Sequence, residues 1–111
     1  MLVPDLAGWQ RTRMPRLPKA AYFTLVPDWV CEVVSPSTAS LDRVKKLTIY
    51  ACEQVAHAWL VDPIGRTLEV LRLEAGRWTI LATHSGNEVV RAEPFADIDL
   101  ELAALWADEE P

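Results

Sequence analysis

Short apolar runs separated by turn-forming residues dominate the pattern of this chain. Runs of this length that are rich in Val, Leu, Ile and Trp predict β-strands. The predicted strands occupy residues 2–9, 29–35, 57–61, 67–73 and 78–82. The breaks between them contain Pro, Gly, Ser and Asp, which favour turns. The last three strands are separated by short turns and therefore predict a meander, with a further short segment around Val89.

One segment changes from the strand period to the helical one. From Ser40 onward, Leu47, Tyr50 and Val55 recur at helical spacing, which predicts a helix of about 15 residues. A second, short helix is predicted over 100–106. The order of elements predicts an α/β fold in which a mixed β-sheet contains one crossover helix, followed by a β-meander and a short C-terminal helix.

A carboxylate in one predicted strand differs from its apolar neighbours. Glu32 lies within residues 29–35, where strand alternation places it on the same face as Val30 and Val34. A buried ionisable group is costly unless it is paired or binds a metal. Two interpretations stay open from the pattern alone, namely a half-exposed strand glutamate and a functional carboxylate.

Length and composition predict one small soluble domain. The chain has 111 residues, of which half are apolar, and this is enough for one core. No apolar run approaches the roughly 18 residues of a membrane helix, and the first residues lack the regions of a signal peptide. Cys31 and Cys52 lie in apolar surroundings without a regular spacing, so reduced thiols in a cytoplasmic protein are expected.

The charge is distributed unevenly along the chain. The net charge of −5 argues against a general nucleic-acid coat protein. Residues 1–46 hold seven basic and four acidic side chains, whereas residues 47–111 hold four basic and twelve acidic ones. The basic side chains before the second predicted strand are candidates for phosphate contacts: Arg11, Arg13, Arg16 and Lys19. A merely solvated loop is the alternative interpretation.

Several strings of the sequence resemble those of one nuclease family. Residues 27–38 read PDWVCEVVSPST and resemble the PDLVVEVLSPST signature of the Uma-two family of endonucleases, in the PD-(D/E)XK, restriction endonuclease-like superfamily. Residues 58–63, AWLVDP, resemble the family's YWLVDP. Residues 3–9, VPDLAGW, resemble the strand that carries the superfamily's PD aspartate. The match also includes Asp42, Arg43, Lys46 and Tyr50.

The resemblance implies a DNA endonuclease that hydrolyses phosphodiester bonds with Mg²⁺ or Mn²⁺. Asp5 and Glu32 match the two metal-binding carboxylates. The superfamily's lysine normally stands two positions after the second carboxylate, which is Val34 here, and Lys46 on the predicted helix matches the place to which this family moves it. Asp28 matches a family-typical acid whose role is open. Carboxylate-held Mg²⁺ can neutralise phosphate charge and generate hydroxide at neutral pH.

Each assigned residue also has a structural alternative. Asp5 could be a turn residue near the chain end, and Asp28 could end the turn before the strand. Lys46 could form an i,i+4 surface pair with Asp42. The five tryptophans are expected in the core rather than as platforms for bases.

The resemblance also shows a difference on the N-terminal side. Family members usually carry a helix and an opening hairpin before the counterpart of Asp5, and the helix often adds an acidic residue to the site. We therefore expect residues 1–111 to form a single restriction endonuclease-like domain without this part. An exposed edge strand favours a homodimer. The alternative function is a catalytically inactive nuclease-like remnant that acts as a binding or dimerisation module.

Overall fold

A five-stranded sheet is the main element of the structure. This computed structural model describes residues 6–8, 26–34 and 39–106, apart from the side chains of 39–43. The strands lie side by side in chain order. They are β1 (Leu6–Gly8), β2 (Trp29–Val33), β3 (His57–Asp62), β4 (Thr67–Glu74) and β5 (Arg77–Ser85). Neighbouring strands are antiparallel except β2 and β3, which are parallel, so the predicted mixed sheet is confirmed.

The parallel pair is joined by the predicted crossover helix, α1 (Ala39–Cys52). Parallel neighbours cannot be joined by a tight hairpin, because the chain must return to the same end of the sheet. Beyond the helix, Gln54 adopts a left-handed φ of 63°. The N–H of Gln54 then donates to the Ala51 carbonyl and that of Val55 to the Tyr50 carbonyl, both at 3.0 Å. This Schellman geometry ends α1 and directs the chain into β3.

Each face of the sheet carries its own apolar cluster, because side chains alternate along the strands. The cluster beneath α1 consists of Val30, Tyr50, Val55, Ala58, Leu60 and Leu71. The cluster on the opposite face consists of Cys31, Trp59, Val61, Leu68, Val70, Val90, Ala92, Leu102 and Trp106. Val30 and Cys31 are consecutive residues, and they belong to different clusters. The alternation in β2 therefore decides which of its side chains face the helix.

The C-terminal segment covers the face opposite α1. Two short strands, β6 (Val89–Val90) and β7 (Leu100–Glu101), pair antiparallel and are followed by a 3₁₀ helix at Leu102–Leu105. The helix begins two residues later than the sequence pattern predicts, because Leu100 and Glu101 are in β7. The Leu102 N–H then donates to the Glu88 carbonyl at 3.0 Å. The burial of Leu102 and Trp106 shows that this tail packs against the core.

The tryptophans that the structure describes contribute to these cores, as expected. Trp59 and Trp106 are buried, whereas Trp29 and Trp78 are half-buried and pack against the clusters. The indole N–H of Trp59 donates to the Glu93 carbonyl, and that of Trp78 to the Leu47 carbonyl, each at 2.8 Å. Each bond ties an indole to a segment that packs on the sheet.

An ion-pair network connects the C-terminal segment to strands β3 and β4 of the sheet. The Glu93 carboxylate lies 2.6 Å from His57 Nε2, and both its oxygens lie 3.2 Å from the Arg72 guanidinium. The hydrogen bond with His57, followed by that with Arg72, lowers the pKa of Glu93 below its ordinary value of 4.5. A carboxyl whose pKa is lower in the folded state stabilises the fold when it is ionised.

Glu93→Gln is expected to make the stability of the fold depend less steeply on pH in the acid range. The contribution of Glu93 is fully present above its ordinary pKa of 4.5 and is lost as the pH falls through the lower folded-state pKa. Thermal unfolding followed by circular dichroism from neutral to acid pH measures this slope. Asp97→Asn, at an exposed position of the same segment, is the matched control. Equal slopes for wild type and Glu93→Gln would contradict the assignment.

Candidate functional site

Glu32 is the penultimate residue of β2 and faces α1. It lies two residues after Val30, so strand alternation places its side chain on the same face of the sheet as the cluster beneath α1. Its exposed fraction is 4%, and it is the only charged side chain that is buried among the described residues. The interpretation as a half-exposed strand glutamate is therefore wrong. A carboxylate at this depth requires hydrogen-bond donors or an opposite charge.

Two side chains of α1 supply those partners. The Lys46 ammonium donates to Glu32 Oε1 at 2.9 Å, and the Tyr50 hydroxyl donates to Glu32 Oε2. Lys46 and Tyr50 are four residues apart and thus lie one above the other on the same helix face. The crossover that joins β2 and β3 therefore places both donors above the strand carboxylate. One oxygen of Glu32 is bound by a cation and the other by a neutral hydroxyl.

The two predicted residues that the structure describes, Glu32 and Lys46, are thus brought together. Lys46 contacts a side chain 14 positions away in sequence. The alternative pairing of Lys46 with Asp42 involves a side chain outside the described set. Among the described residues, Lys46 is the cation that lies against Glu32.

The contact of Tyr50 with Glu32 was not predicted from the sequence. Tyr50 was part of the family match, but its helical spacing indicated a core position and no role was assigned to its hydroxyl. Tyr50 is only 2% exposed, and the hydroxyl of a buried tyrosine usually forms a hydrogen bond. The sequence feature that could have predicted this contact is the position of Tyr50 four residues after Lys46. When a lysine on one helix face points toward a buried carboxylate, the side chain four residues later lies on the same face and points toward it as well.

The other predicted site residues lie outside the part of the chain that the structure describes: Asp5, Arg11, Arg13, Arg16 and Lys19. The described neighbour of Asp5 is Leu6, which pairs with Cys31 in the antiparallel register of β1 and β2. Asp28 is half-buried just before β2, where its N–H donates to the Gly8 carbonyl at 2.8 Å. Asp28 therefore lies at the end of the sheet where β1 ends and where β2 and β3 begin.

A second carboxylate lies in the same cross-strand row as Glu32. The register pairs Glu32 with Leu60, and Leu60 with Glu69 on β4. Two strand spacings separate Glu32 from Glu69, which corresponds to about 10 Å between backbones. Because buried Leu60 lies between them, the two carboxylates are distinct positions on one face. Glu69 therefore serves as a matched control for Glu32.

The oxygen atoms of Glu32 have the chemistry that a divalent cation requires of a ligand. A carboxylate has about four lone-pair sites, and the hydrogen bonds from Lys46 and Tyr50 use one on each oxygen. Oxygen ligands of this type suit Mg²⁺, which is commonly bound by one or two carboxylates. Within residues 6–8, 26–34 and 39–106, no group of three or more His, Cys, Asp or Glu side chains could hold a metal ion. Glu32 fits as one ligand.

Asp62 lies in a turn rather than in the site. Its Oδ1 accepts the N–H groups of Ile64 at 3.1 Å and Gly65 at 2.9 Å. This is the turn predicted between the third and fourth strands. A Cβ at Gly65 would lie 2.8 Å from Asp62 Oδ2, so a larger residue at this position would displace the Asp62 carboxylate. Asp62 thus connects β3 to β4.

No helix in the described part of the chain is long and apolar enough to cross a membrane. Cys31 and Cys52 are free thiols, the first buried and the second exposed.

Comparisons with known proteins give one family and one fold. The profile of the Uma2 (Uma-two) family, described as "Putative restriction endonuclease", matches residues 1–104. A crystal structure of a "putative nuclease belonging to DUF820" from Anabaena variabilis shares the fold, with a TM-score of 0.69 and 24% identity. The match covers 95% of this chain, which spans 59% of the Anabaena protein. No curated protein matches significantly.

Proposed function

The chain belongs to the Uma2 family of restriction endonuclease-like proteins, and on this premise we propose that it is a metal-dependent endonuclease that hydrolyses the phosphodiester bonds of DNA. The observation that carries the proposal is the buried Glu32 carboxylate with the Lys46 ammonium at 2.9 Å. A strand carboxylate beside a lysine is the pair that the family resemblance assigns to catalysis. The fold shared with the Anabaena protein supports the same function.

We propose Glu32 and Asp5 as the ligands of Mg²⁺ or Mn²⁺. The described register supports their pairing, because Leu6 lies opposite Cys31, while Asp5 precedes Leu6 and Glu32 follows Cys31 in the sequence. A bound divalent cation would neutralise charge on the phosphate and lower the pKa of a water molecule. Glu32 is suited to this role since its neighbours fix the direction of its oxygens.

Lys46 is proposed as the catalytic cation. Its ammonium stands at the edge of the site, with its side chain 31% exposed and that of Glu32 5% exposed. From this position Lys46 would orient the attacking water or stabilise the negative charge that develops on the phosphate. Its place on α1, rather than on β2, agrees with the Val34 that stands where the superfamily's lysine normally lies.

DNA is proposed as the substrate, with its backbone contacted by the basic residues at 11–19. The seven basic side chains within residues 1–46 support an electrostatic contribution to binding, because neutralising phosphates releases counterions. Such contacts position the nucleic acid without reading its sequence. The acidic remainder of the chain would limit binding to this side.

Cleavage of supercoiled plasmid DNA tests the proposal. We expect nicked or linear product with Mg²⁺ or Mn²⁺ and none after addition of a chelator, because the bound cation supplies both charge neutralisation and the hydroxide. Circular dichroism on the same sample verifies that the protein is folded. Absence of cleavage by folded protein at every concentration and with either cation would refute an active nuclease.

A catalytically inactive binding or dimerisation module is the second candidate. It is favoured by the open edge of the described sheet. Strand β5 has nine residues and pairs only with β4 in that sheet, with Ile80 exposed. Long edge strands favour pairing between chains. Sedimentation across a concentration series would show a dimer, while a lack of Mg²⁺ affinity would favour this candidate over the nuclease.

A further inference from the structure

The exposed face of α1 carries two opposite charges on either side of an isoleucine. Lys45, Ile49 and Glu53 are spaced by four residues, and all three are exposed. The Glu53 N–H donates to the Ile49 carbonyl at 3.0 Å, so Glu53 continues the helical turn at the end of α1. Residues spaced in this way form one ridge on a helix surface. We propose that this ridge is the contact surface of a homodimer, in which α1 packs antiparallel against α1 of a second copy.

A two-fold axis at Ile49 makes the ridge complementary to itself. In a contact of this symmetry, residue i meets residue j of the second copy, and j meets i. Because Ile49 lies midway between the two charges, the antiparallel arrangement places Lys45 opposite Glu53 of the second copy, and the reverse. The Ile49 side chains, each 40% exposed in the single chain, meet at the axis. An in-register parallel pair would instead place like charges opposite each other.

Both charges lack a partner within the described chain. Among residues 6–8, 26–34 and 39–106, neither the Lys45 ammonium nor the Glu53 carboxylate forms an ion pair or a hydrogen bond. The adjacent Lys46, by comparison, binds Glu32 on the side of α1 that faces the sheet. No contact within this part of the chain therefore competes with pairing of Lys45 and Glu53 between two copies.

The order of the two charges is unfavourable for a single helix. The C-terminal end of a helix carries a partial negative charge, which favours a base and disfavours an acid. The last turn of α1 contains no basic residue, and Glu53 follows it directly. An antiparallel second copy brings its own Lys45 to this end, and the two helix dipoles then oppose each other. The dimer supplies a compensating charge that the helix itself lacks.

The size of the ridge predicts a weak dimer. The 14 residues of α1 form a helix about 21 Å long, at about 1.5 Å per residue, and about 10 Å wide. One such face from each copy buries less than the roughly 1,200 Å² of a stable specific interface. We therefore expect a Kd on the order of 10–100 μM. Because exposed ion pairs are screened by salt, the dimer is expected to weaken as the ionic strength rises.

Charge reversal tests this contact and its register. Lys45→Glu places acids opposite each other at both ends of the interface, and Glu53→Lys does the same with bases. Each variant is expected to weaken the dimer by roughly tenfold or more. Combining Lys45→Glu with Glu53→Lys restores opposite charges in exchanged positions, so the double variant is expected to dimerise like wild type. Sedimentation of the full chain at low salt, over concentrations on either side of the expected Kd, measures all four proteins.

Matched controls separate the contact from general effects of charge. Arg66→Glu and Glu88→Lys make the same changes of charge at exposed positions outside α1, and they are expected to leave the Kd unchanged. Neither reversal in α1 is expected to destabilise the helix, because an acid nearer its N-terminus and a base at its C-terminus suit the helix dipole. Circular dichroism on each variant verifies this.

The sedimentation results decide between this interface and its alternatives. A wild-type chain that stays monomeric at every concentration would leave the ridge to a different partner and overturn the proposal. A dimer that neither Lys45→Glu nor Glu53→Lys weakens would lie elsewhere, such as at the β5 edge, and would also overturn it. Failure of the double variant to recover would exclude the antiparallel register. The inference is independent of the proposed nuclease activity, since the ridge and Glu32 lie on different sides of α1.

Discussion

Glu32→Gln is expected to reduce metal-dependent cleavage of plasmid DNA by about 100-fold or more. The amide keeps the size of the side chain but carries no charge, so it is a poor ligand for Mg²⁺. Charge stabilisation by a bound metal is worth several kcal/mol, and each 1.4 kcal/mol corresponds to about tenfold in rate. Initial rates of nicking at equal protein and Mg²⁺ concentrations measure the loss.

Glu69→Gln makes the same chemical change in the same cross-strand row. Because Leu60 separates Glu69 from Glu32 in the register, this control is expected to retain nearly all of the activity. Circular dichroism on both variants verifies that the sheet is intact. If Glu32→Gln and Glu69→Gln cleave at equal rates, Glu32 has no catalytic role and the site must be sought elsewhere.

Leu102→Ala is expected to lower the free energy of unfolding by about 2–5 kcal/mol, as large-to-small changes in tightly packed cores do. The Leu102 side chain is fully buried in the cluster opposite α1. Its removal would leave a cavity between the 3₁₀ helix and the sheet. Small domains are stable by only about 5–15 kcal/mol, so the loss is a large part of the total. Urea denaturation followed by tryptophan fluorescence measures it.

Ile98→Ala provides the comparison for Leu102→Ala, because Ile98 is in the same segment and is 60% exposed. Surface changes of this kind usually alter stability by no more than about 0.5 kcal/mol. Equal losses for the two variants would show that the C-terminal segment does not pack on the sheet in solution. A loss confined to Leu102→Ala would establish the segment as part of the core.

The sequence pattern predicted the elements that depend on local alternation and turn chemistry. The strands containing Glu32, Trp59 and Val70 and the crossover helix were all found close to their predicted bounds. Strand β5 is longer than predicted, since Arg77 to Ser85 pair along β4 through a bulge after Val70. The pairing partner, and not the local sequence, sets how far such a strand extends.

Contacts between distant segments were harder to predict from the sequence. The pairing of Lys46 with Glu32 was available only through the family resemblance, and the hydroxyl of Tyr50 was assigned to the core. The network of Glu93 with His57 and Arg72 was missed entirely, because 36 positions separate Glu93 from His57 in the sequence. Hydrophobic periodicity identifies which face of an element is buried, but it carries no information on which polar atoms meet there.

The alternation of β2 between two apolar clusters restricts how this strand can change in evolution. Substitutions at Val30 or Val33 preserve which side chains point toward α1. A single-residue deletion in β2 before Cys31 would invert that parity over the rest of the strand. It would turn the Glu32 carboxylate away from α1 and place the soft sulfur of Cys31 on the helix side, and such a thiolate selects zinc or copper rather than magnesium. The strand can therefore drift in composition, while its length is under much stricter selection.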